Sequence, residues 1–183
     1  TYCDSKTDIK RRSALMVMNE LFIYIVHWLA PVLSFTAEEA WQVYPLNKMK
    51  ESIHLQEFPN ISSEWINNEI VKHMEFLQSV RKTITEALET ERLAKTIGSS
   101  LEARVIVYTN NSEVYKTLSQ VDLAELAIVS EVQIVQAQAS STAITNDNLS
   151  IGVMVQKTSG EKCDRCWKIS EDVEVCNNEY GIV

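Results

Sequence analysis

The sequence predicts a mainly α chain, in which an antiparallel helical bundle leads into a small α+β module and a cysteine-bearing tail. Three observations point there. Apolar residues recur at three- and four-residue spacing through most of residues 7–97. The period drops to two just after Gly98. Only four Gly and three Pro punctuate 183 residues, so most of the chain is expected in regular structure.

The elements follow in order. Over residues 7–30, Leu15, Met18, Leu21, Phe22, Ile25 and Leu29 share one helical face. Thr7 or Asp8 can cap the start, and Pro31 ends the run. A second, short helix is predicted from Thr36 as N-cap, with Glu39 three residues on completing a capping box. Residues 45–62 hold the other two prolines and read as a loop or extended crossing segment. The longest helix is predicted over 63–97, roughly 50 Å at 1.5 Å per residue. Its stripe is Ile66, Ile70, His73, Leu77, Val80, Ile84 and Leu88, with His73 as a core residue and Gly98 as the stop. Three such helices predict an antiparallel bundle.

Beyond Gly98, Leu101, Ala103, Val105 and Val107 alternate with Glu102, Arg104, Ile106 and Tyr108, a strand pattern. Short helices are expected at 113–119 and 122–127, strands at 128–135 and 149–156, and a flexible loop at 136–148. A module of about sixty residues is marginal alone, so docking on the long helix is expected. The organisation predicted is 1–98 helical, 99–158 a junction module, and 159–183 the tail.

Composition narrows the function classes. No apolar run reaches the ~18 residues of a membrane span. With 17 Lys and Arg against 25 Asp and Glu, the formal charge is −8, so any nucleic-acid contact must be local rather than bulk attraction. The start, TYCDSKTDIKRR, has no Met and no signal-peptide core, which predicts a piece of a longer chain. Four cysteines, two of them in Cys-x-x-Cys, argue for a reducing cytoplasm and a metal rather than a disulfide framework.

The tail, GEKCDRCWKISEDVEVCNNEYGIV, carries the chemistry. Structural zinc takes four tetrahedral ligands, commonly thiolates, and Cys163 and Cys166 have the spacing of half such a site. Cys176 is either a third ligand or a bystander, with the rest of the site beyond Val183; the second is favoured. A redox pair is the alternative, but this motif does not open a helix after a strand in a βαβ unit. Zinc would hold the backbone around Cys166 and turn Arg165 and Trp167 outward. Arg grips phosphates and base edges, and an indole stacks on an unpaired base, a combination suited to a single-stranded RNA loop. Equally, Trp167 can cover a small core and Arg165 can pair with Asp164 or Glu161.

Arg92 and Lys95 continue the long helix's apolar stripe as positive charge. They either complement the helix dipole and pair with Glu89 or Glu91, or leave the bundle to meet phosphate. Arg11 and Arg12 pose the same choice between a solvated face and an RNA backbone contact.

YCDSKTDIKRRSALMVMNELFIYIVHWLAPVLSFTAEEAW resembles the anticodon-binding helical domain of bacterial isoleucyl-tRNA synthetases. VRKTITEALETERLAKTIGSSLEARVIVY resembles that family's long helix, glycine stop and following strand, and GEKCDRCW the first half of its C-terminal zinc element. The resemblance covers essentially the whole chain in one order. It implies a class I anticodon-binding bundle, a monomer that binds the anticodon stem-loop of tRNA(Ile), and Arg165 and Trp167 near that loop. It also implies one zinc held by Cys163 and Cys166 together with a second Cys-x-x-Cys pair downstream, which this sequence lacks, since Asn177 and Asn178 follow Cys176. The family's HIGH and KMSKS motifs, which use ATP, are not found here; Asn47-Lys48-Met49-Lys50 lacks the Ser-Lys ending. The editing domain is absent too, and the bundle begins late. No catalytic residue is expected, and the catalytic domains would be partners from elsewhere in the same enzyme. Two rivals remain: a valyl or leucyl relative, against which the zinc-like tail argues, and a helical protein-interaction module with a structural zinc knuckle.

Overall fold

Asp8 begins the first helix: its carboxylate accepts the Arg11 N–H at 3.1 Å, satisfying one of the unpaired donors at a helix start. The structure, a computed structural model, describes residues 4–47, 51–164 and 166–171. The chain divides by its internal contacts into two units, residues 1–66 and 67–183.

In the first unit, α1 (Ile9–Leu29) turns through residues 30–33 into α2 (Ser34–Gln42). Leu33 donates back to the Leu29 carbonyl, and its own carbonyl accepts from Ala37. The turn is so tight that α2 starts before the expected cap. Leu33 is the N-cap, without a side-chain bond, and Thr36 lies inside the helix, so the predicted capping box with Glu39 does not form. The small core is Val26, Ala30, Ala37 and Ile53, with Phe22, Ala40 and Trp41 packed on it. His27 is buried here, bonded through Nδ1 to the Ile23 carbonyl at 2.7 Å and edge-on to Trp41. The predicted stripe is mostly on the surface: Leu15, Met18, Leu21, Ile25 and Leu29 are exposed, because the short α2 covers only the Val26–Ala30 side.

Glu38 ties the crossing segment to α2. It accepts from the Ser52 hydroxyl at 2.8 Å and the Ile53 N–H at 2.9 Å, just where a 3₁₀ turn (Ile53–Leu55) starts. The Ser52 and Gln42 hydrogen bonds, helped by the Ile53 amide and by His54, hold its carboxyl below the usual carboxylate pKa against a smaller opposing effect of burial.

In the second unit, α3 (Asn68–Leu93) starts later than predicted. Residues 63–65, at the end of the first unit, instead form a separate 3₁₀ turn, and Asn67 is the cap, accepting from Glu69 and Ile70. The helix also stops earlier. Thr96 donates to the Glu91 carbonyl and Lys95 to Arg92, a Schellman closure with Lys95 at φ 60° in the left-handed position. Gly98 is therefore not the stop; its N–H is bonded by the Glu102 carboxylate instead. His73 is exposed, as are Ile66 and Ile70, which corrects its placement in the core. The stripe is buried only from Leu77 onward: Leu77, Val80, Ile84, Ala87 and Leu88.

That half of α3 packs on a four-stranded sheet, as docking of the module predicts. The strands are β1 (Ala103–Tyr108), β2 (Glu131–Val135), β3 (Ile144–Asn146) and β4 (Ile151–Lys157), in the order β2-β1-β4-β3. β1 and β2 are parallel, joined by α4 (Ser112–Ser119) and α5 (Leu123–Ala127); β4 runs antiparallel to both β1 and β3. Asn111 caps α4 and Asp122 caps α5. Ile128 closes α5 in the left-handed conformation, so β2 begins at Glu131 rather than 128. β3 falls in the stretch expected to be loop. Next to it, Gly152 faces residue 139 so closely that a Cβ would sit 2.3 Å from the Ala139 Cβ. Among the described residues, no helix is long and apolar enough to cross a membrane.

Candidate nucleic-acid interface

The described part of the tail forms a two-stranded hairpin, β5 (Glu161–Lys162) against β6 (Ile169–Ser170), with Lys162 opposite Ile169. Gly160 makes the entry possible. Its φ is 122°, and a Cβ there would lie 2.3 Å from the Ser170 carbonyl oxygen, so only glycine fits.

Between the strands, the cysteine loop closes on itself. The Cys163 N–H donates to the Lys168 carbonyl and the Trp167 N–H to the Cys163 carbonyl, both at 2.9 Å. Trp167 takes the left-handed conformation, φ 64°, which turns the chain back toward β6. Cys163 is buried at 1% exposure and Cys166 half-buried, and the two are not disulfide-bonded to each other. Among the described residues, the motif sits in a hairpin and no helix follows it. Among the described residues, no cluster of three or more His, Cys, Asp or Glu is placed to hold a metal. Cys176 lies outside the described residues, as does Arg165.

Trp167 is 59% exposed, so it does not cover a core. The Lys162 Nζ lies over its ring, 4.9 Å from the centroid. Nothing in the residue spacing signals this contact; it follows from the hairpin bringing the strand before the loop beside the loop's far end.

The hairpin is fastened to the sheet unit through a 3₁₀ turn, Ser100–Glu102. The Ser130 hydroxyl accepts from the Ile169 N–H at 2.7 Å and donates to the Leu101 carbonyl at 2.5 Å. The Thr158 N–H donates to the Glu102 carbonyl at 2.8 Å. Arg92 reaches the same turn: its guanidinium pairs with Glu89 at 2.6 Å and bonds the Ser100 hydroxyl at 3.3 Å. Lys95 is exposed at the helix closure. Ser130 falls inside the strand predicted at 128–135, where a lone serine carries no distinguishing pattern. In the first unit, Arg11 spends one guanidinium nitrogen on the Asp4 carbonyl at 2.7 Å, while Arg12 is exposed.

This arrangement can present a rigid aromatic face and a cation to a ligand, and two thiols to a metal. Among the described residues, no nucleophile is seen bonded to a general base. Comparison with known proteins gives it a context. Over 173 residues the chain is 41% identical to the isoleucine–tRNA ligase of Bartonella quintana (strain Toulouse), covering 94% of this chain and 18% of that protein. The isoleucine–tRNA ligase of Agrobacterium fabrum matches at 41% over 174 residues, with the same coverage, and that of Bradyrhizobium diazoefficiens at 39% over 173 residues, covering 17% of its length. The chain thus spans under a fifth of the relatives it matches. Residues 1–107 match the family described as the anticodon-binding domain of tRNA ligase. On that match, which covers more than half of its length, and with isoleucine–tRNA ligases similar to it almost throughout, the chain belongs to the anticodon-binding domain family of tRNA ligases.

Proposed function

We propose that this chain recognises the anticodon stem-loop of tRNA(Ile) within an isoleucine–tRNA ligase, the enzyme that charges tRNA(Ile) with isoleucine using ATP. The observation that carries this reading is the 41% identity to isoleucine–tRNA ligases across 94% of the chain. Activation with ATP and editing belong to other parts of that enzyme, and no residue here has a catalytic role. On this reading residues 1–98 serve the anticodon stem-loop, 99–158 a junction, and 159 onward the metal-bearing element, although by internal contacts α3 groups with the sheet that follows it. Apolar residues repeat at helical spacing along α1 and along α3, the pattern that the helices of an antiparallel bundle carry.

In the tail, Cys163 and Cys166 supply two thiolates to a structural zinc. The closed loop between Cys163 and Trp167 supports this, because it puts both cysteines on one tight turn. The donors fit half of a tetrahedral site, and Cys176 or later residues complete it. When bound, zinc stiffens the backbone on both sides of Cys166. Arg165 and Trp167 then read the loop, Arg165 by paired hydrogen bonds and Trp167 by stacking. Arg11, Arg12 and Lys95 meet the backbone; Arg92, already paired with Glu89, contributes less. The enzyme works as a monomer in the cytoplasm.

The test is binding of tRNA(Ile), and of tRNA(Ile) with altered anticodons, to the zinc-supplied chain. Weaker binding by Arg165→Ala and Trp167→Ala, with the fold intact, is expected. Equal affinity for every tRNA, or no affinity for any, overturns the reading.

A further inference from the structure

We infer that Lys162 is a positioning residue for Trp167: its ammonium selects the indole orientation that offers one open face to a base. The inference rests on the proposed RNA role of Trp167 and adds the group that makes the stacking surface a fixed one.

The argument starts from what holds each end of the tryptophan. Its backbone is fixed by the 2.9 Å bond from its N–H to the Cys163 carbonyl and by the left-handed turn at φ 64°. Its side chain still has two free torsions, and at 59% exposure it has little packing to restrict them. An exposed indole in that state spreads over several rotamers, and a base that stacks on it must first order it. The Lys162 Nζ, 4.9 Å from the ring centroid, is within the range at which a cation is attracted to the ring quadrupole. The backbone of Lys162 is held in place, since β5 pairs it with Ile169, whose N–H is bonded to Ser130. The cation therefore covers one face of the ring from a rigid strand and leaves the other face to the ligand.

This role differs from that of a lysine that merely neutralises a phosphate. A phosphate contact acts whether or not the tryptophan is there; a positioning residue acts only through it. Lysine supplies the charge, arginine can replace it over an aromatic ring, and methionine keeps the stem while losing the charge.

The experiment uses the full 183-residue chain with zinc supplied and a fluorescent hairpin carrying the anticodon loop of tRNA(Ile). Affinities are measured for the parent, K162M, K162R, W167A and the K162M/W167A double variant. Both side chains are exposed, so each variant is expected to fold as the parent does. K162M should weaken binding about two- to fivefold, the strength of an exposed cation–π contact, while K162R stays within about twofold of the parent. In the W167A background, K162M should change nothing. Without RNA, the 19F resonance of 5-fluorotryptophan at position 167, assigned by its loss in W167F, should move in K162M and hold in K162R. An equal K162M penalty with and without Trp167, or an unmoved resonance, overturns the inference and leaves the RNA reading standing. W167A binding as tightly as the parent, or a parent that does not bind, overturns the RNA reading and this inference with it.

Discussion

The Asn146 side-chain amide donates to the Thr83 hydroxyl at 3.0 Å, joining the edge strand β3 to the buried face of α3. Thr83 is 2% exposed, and its hydroxyl also donates to the Ser79 carbonyl at 3.3 Å. One buried polar group thus fixes where the sheet's outer strand meets the helix. Thr83→Val, which keeps the shape, should destabilise the chain by about 1–3 kcal/mol by leaving the Asn146 amide without this partner. In an Asn146→Ala background the same change should cost well under half as much. Urea unfolding of the four chains measures the difference, and additive costs would show that the pair is not coupled.

A second prediction concerns the end of α3. Lys95 occupies the left-handed closing position that glycine takes most easily. Lys95→Gly should raise the unfolding free energy by about 1 kcal/mol, the usual penalty for a side chain in that conformation. A fall in stability under urea would mean that the lysine side chain does more at the closure than its backbone costs.

Ser130 gives a third. Removing its hydroxyl strands the Ile169 amide and the Leu101 carbonyl together. Ser130→Ala should loosen the cysteine hairpin and leave the sheet in place. Amide exchange should accelerate about tenfold or more at Ile169, and little at Val105 or Val153 in the core. Uniform acceleration would point to a global loss instead.

The fourth is a pH dependence. The Ser52 and Gln42 hydrogen bonds lower the pKa of Glu38 below its ordinary value of 4.5. A carboxylate with a depressed folded pKa contributes stability that is fully present above its unfolded value and is lost as pH falls through the folded one. At neutral pH the contribution is complete; below about pH 4.5 it declines. Glu38→Gln should flatten that part of the acid unfolding curve while changing its slope little above pH 6. Thermal melts between pH 3 and 7 decide it, and an unchanged acid limb in the variant would remove Glu38 as the cause.

The helices, the period change and the helix-docked module were legible because each rests on many residues repeating at one spacing. Boundaries were not, because they hang on one or two backbone groups. Gly98 looks like a helix stop and Lys95 does not, yet Lys95 takes the left-handed turn while Gly98 is engaged by Glu102. Thr36 looks like a cap, but the four-residue turn after α1 had already started α2 at Ser34. His73 lies on the stripe by spacing, but α3 meets the sheet only from Leu77, so periodicity gave its direction and not its depth. β3 was hidden because three residues, Ile144–Asn146, are too few to show alternation. At the candidate interface, Cys163, Cys166 and Trp167 stood out by type and spacing. Lys162 and Ser130 act through contacts made only once the hairpin has folded.

The turn Ser100–Glu102 receives the Arg92 side chain from α3, the Ser130 hydroxyl, and the Thr158 amide leaving β4. Residues 94–99 connect α3 to it and, apart from the buried Ile97, lie at the surface. Surface connections ordinarily tolerate insertions and deletions. This one is pinned at both ends, by the left-handed closure at Lys95 and by the bonds that hold the turn, so a residue added or removed there has to be absorbed within a few positions or break the Arg92–Ser100 contact that ties α3 to the turn.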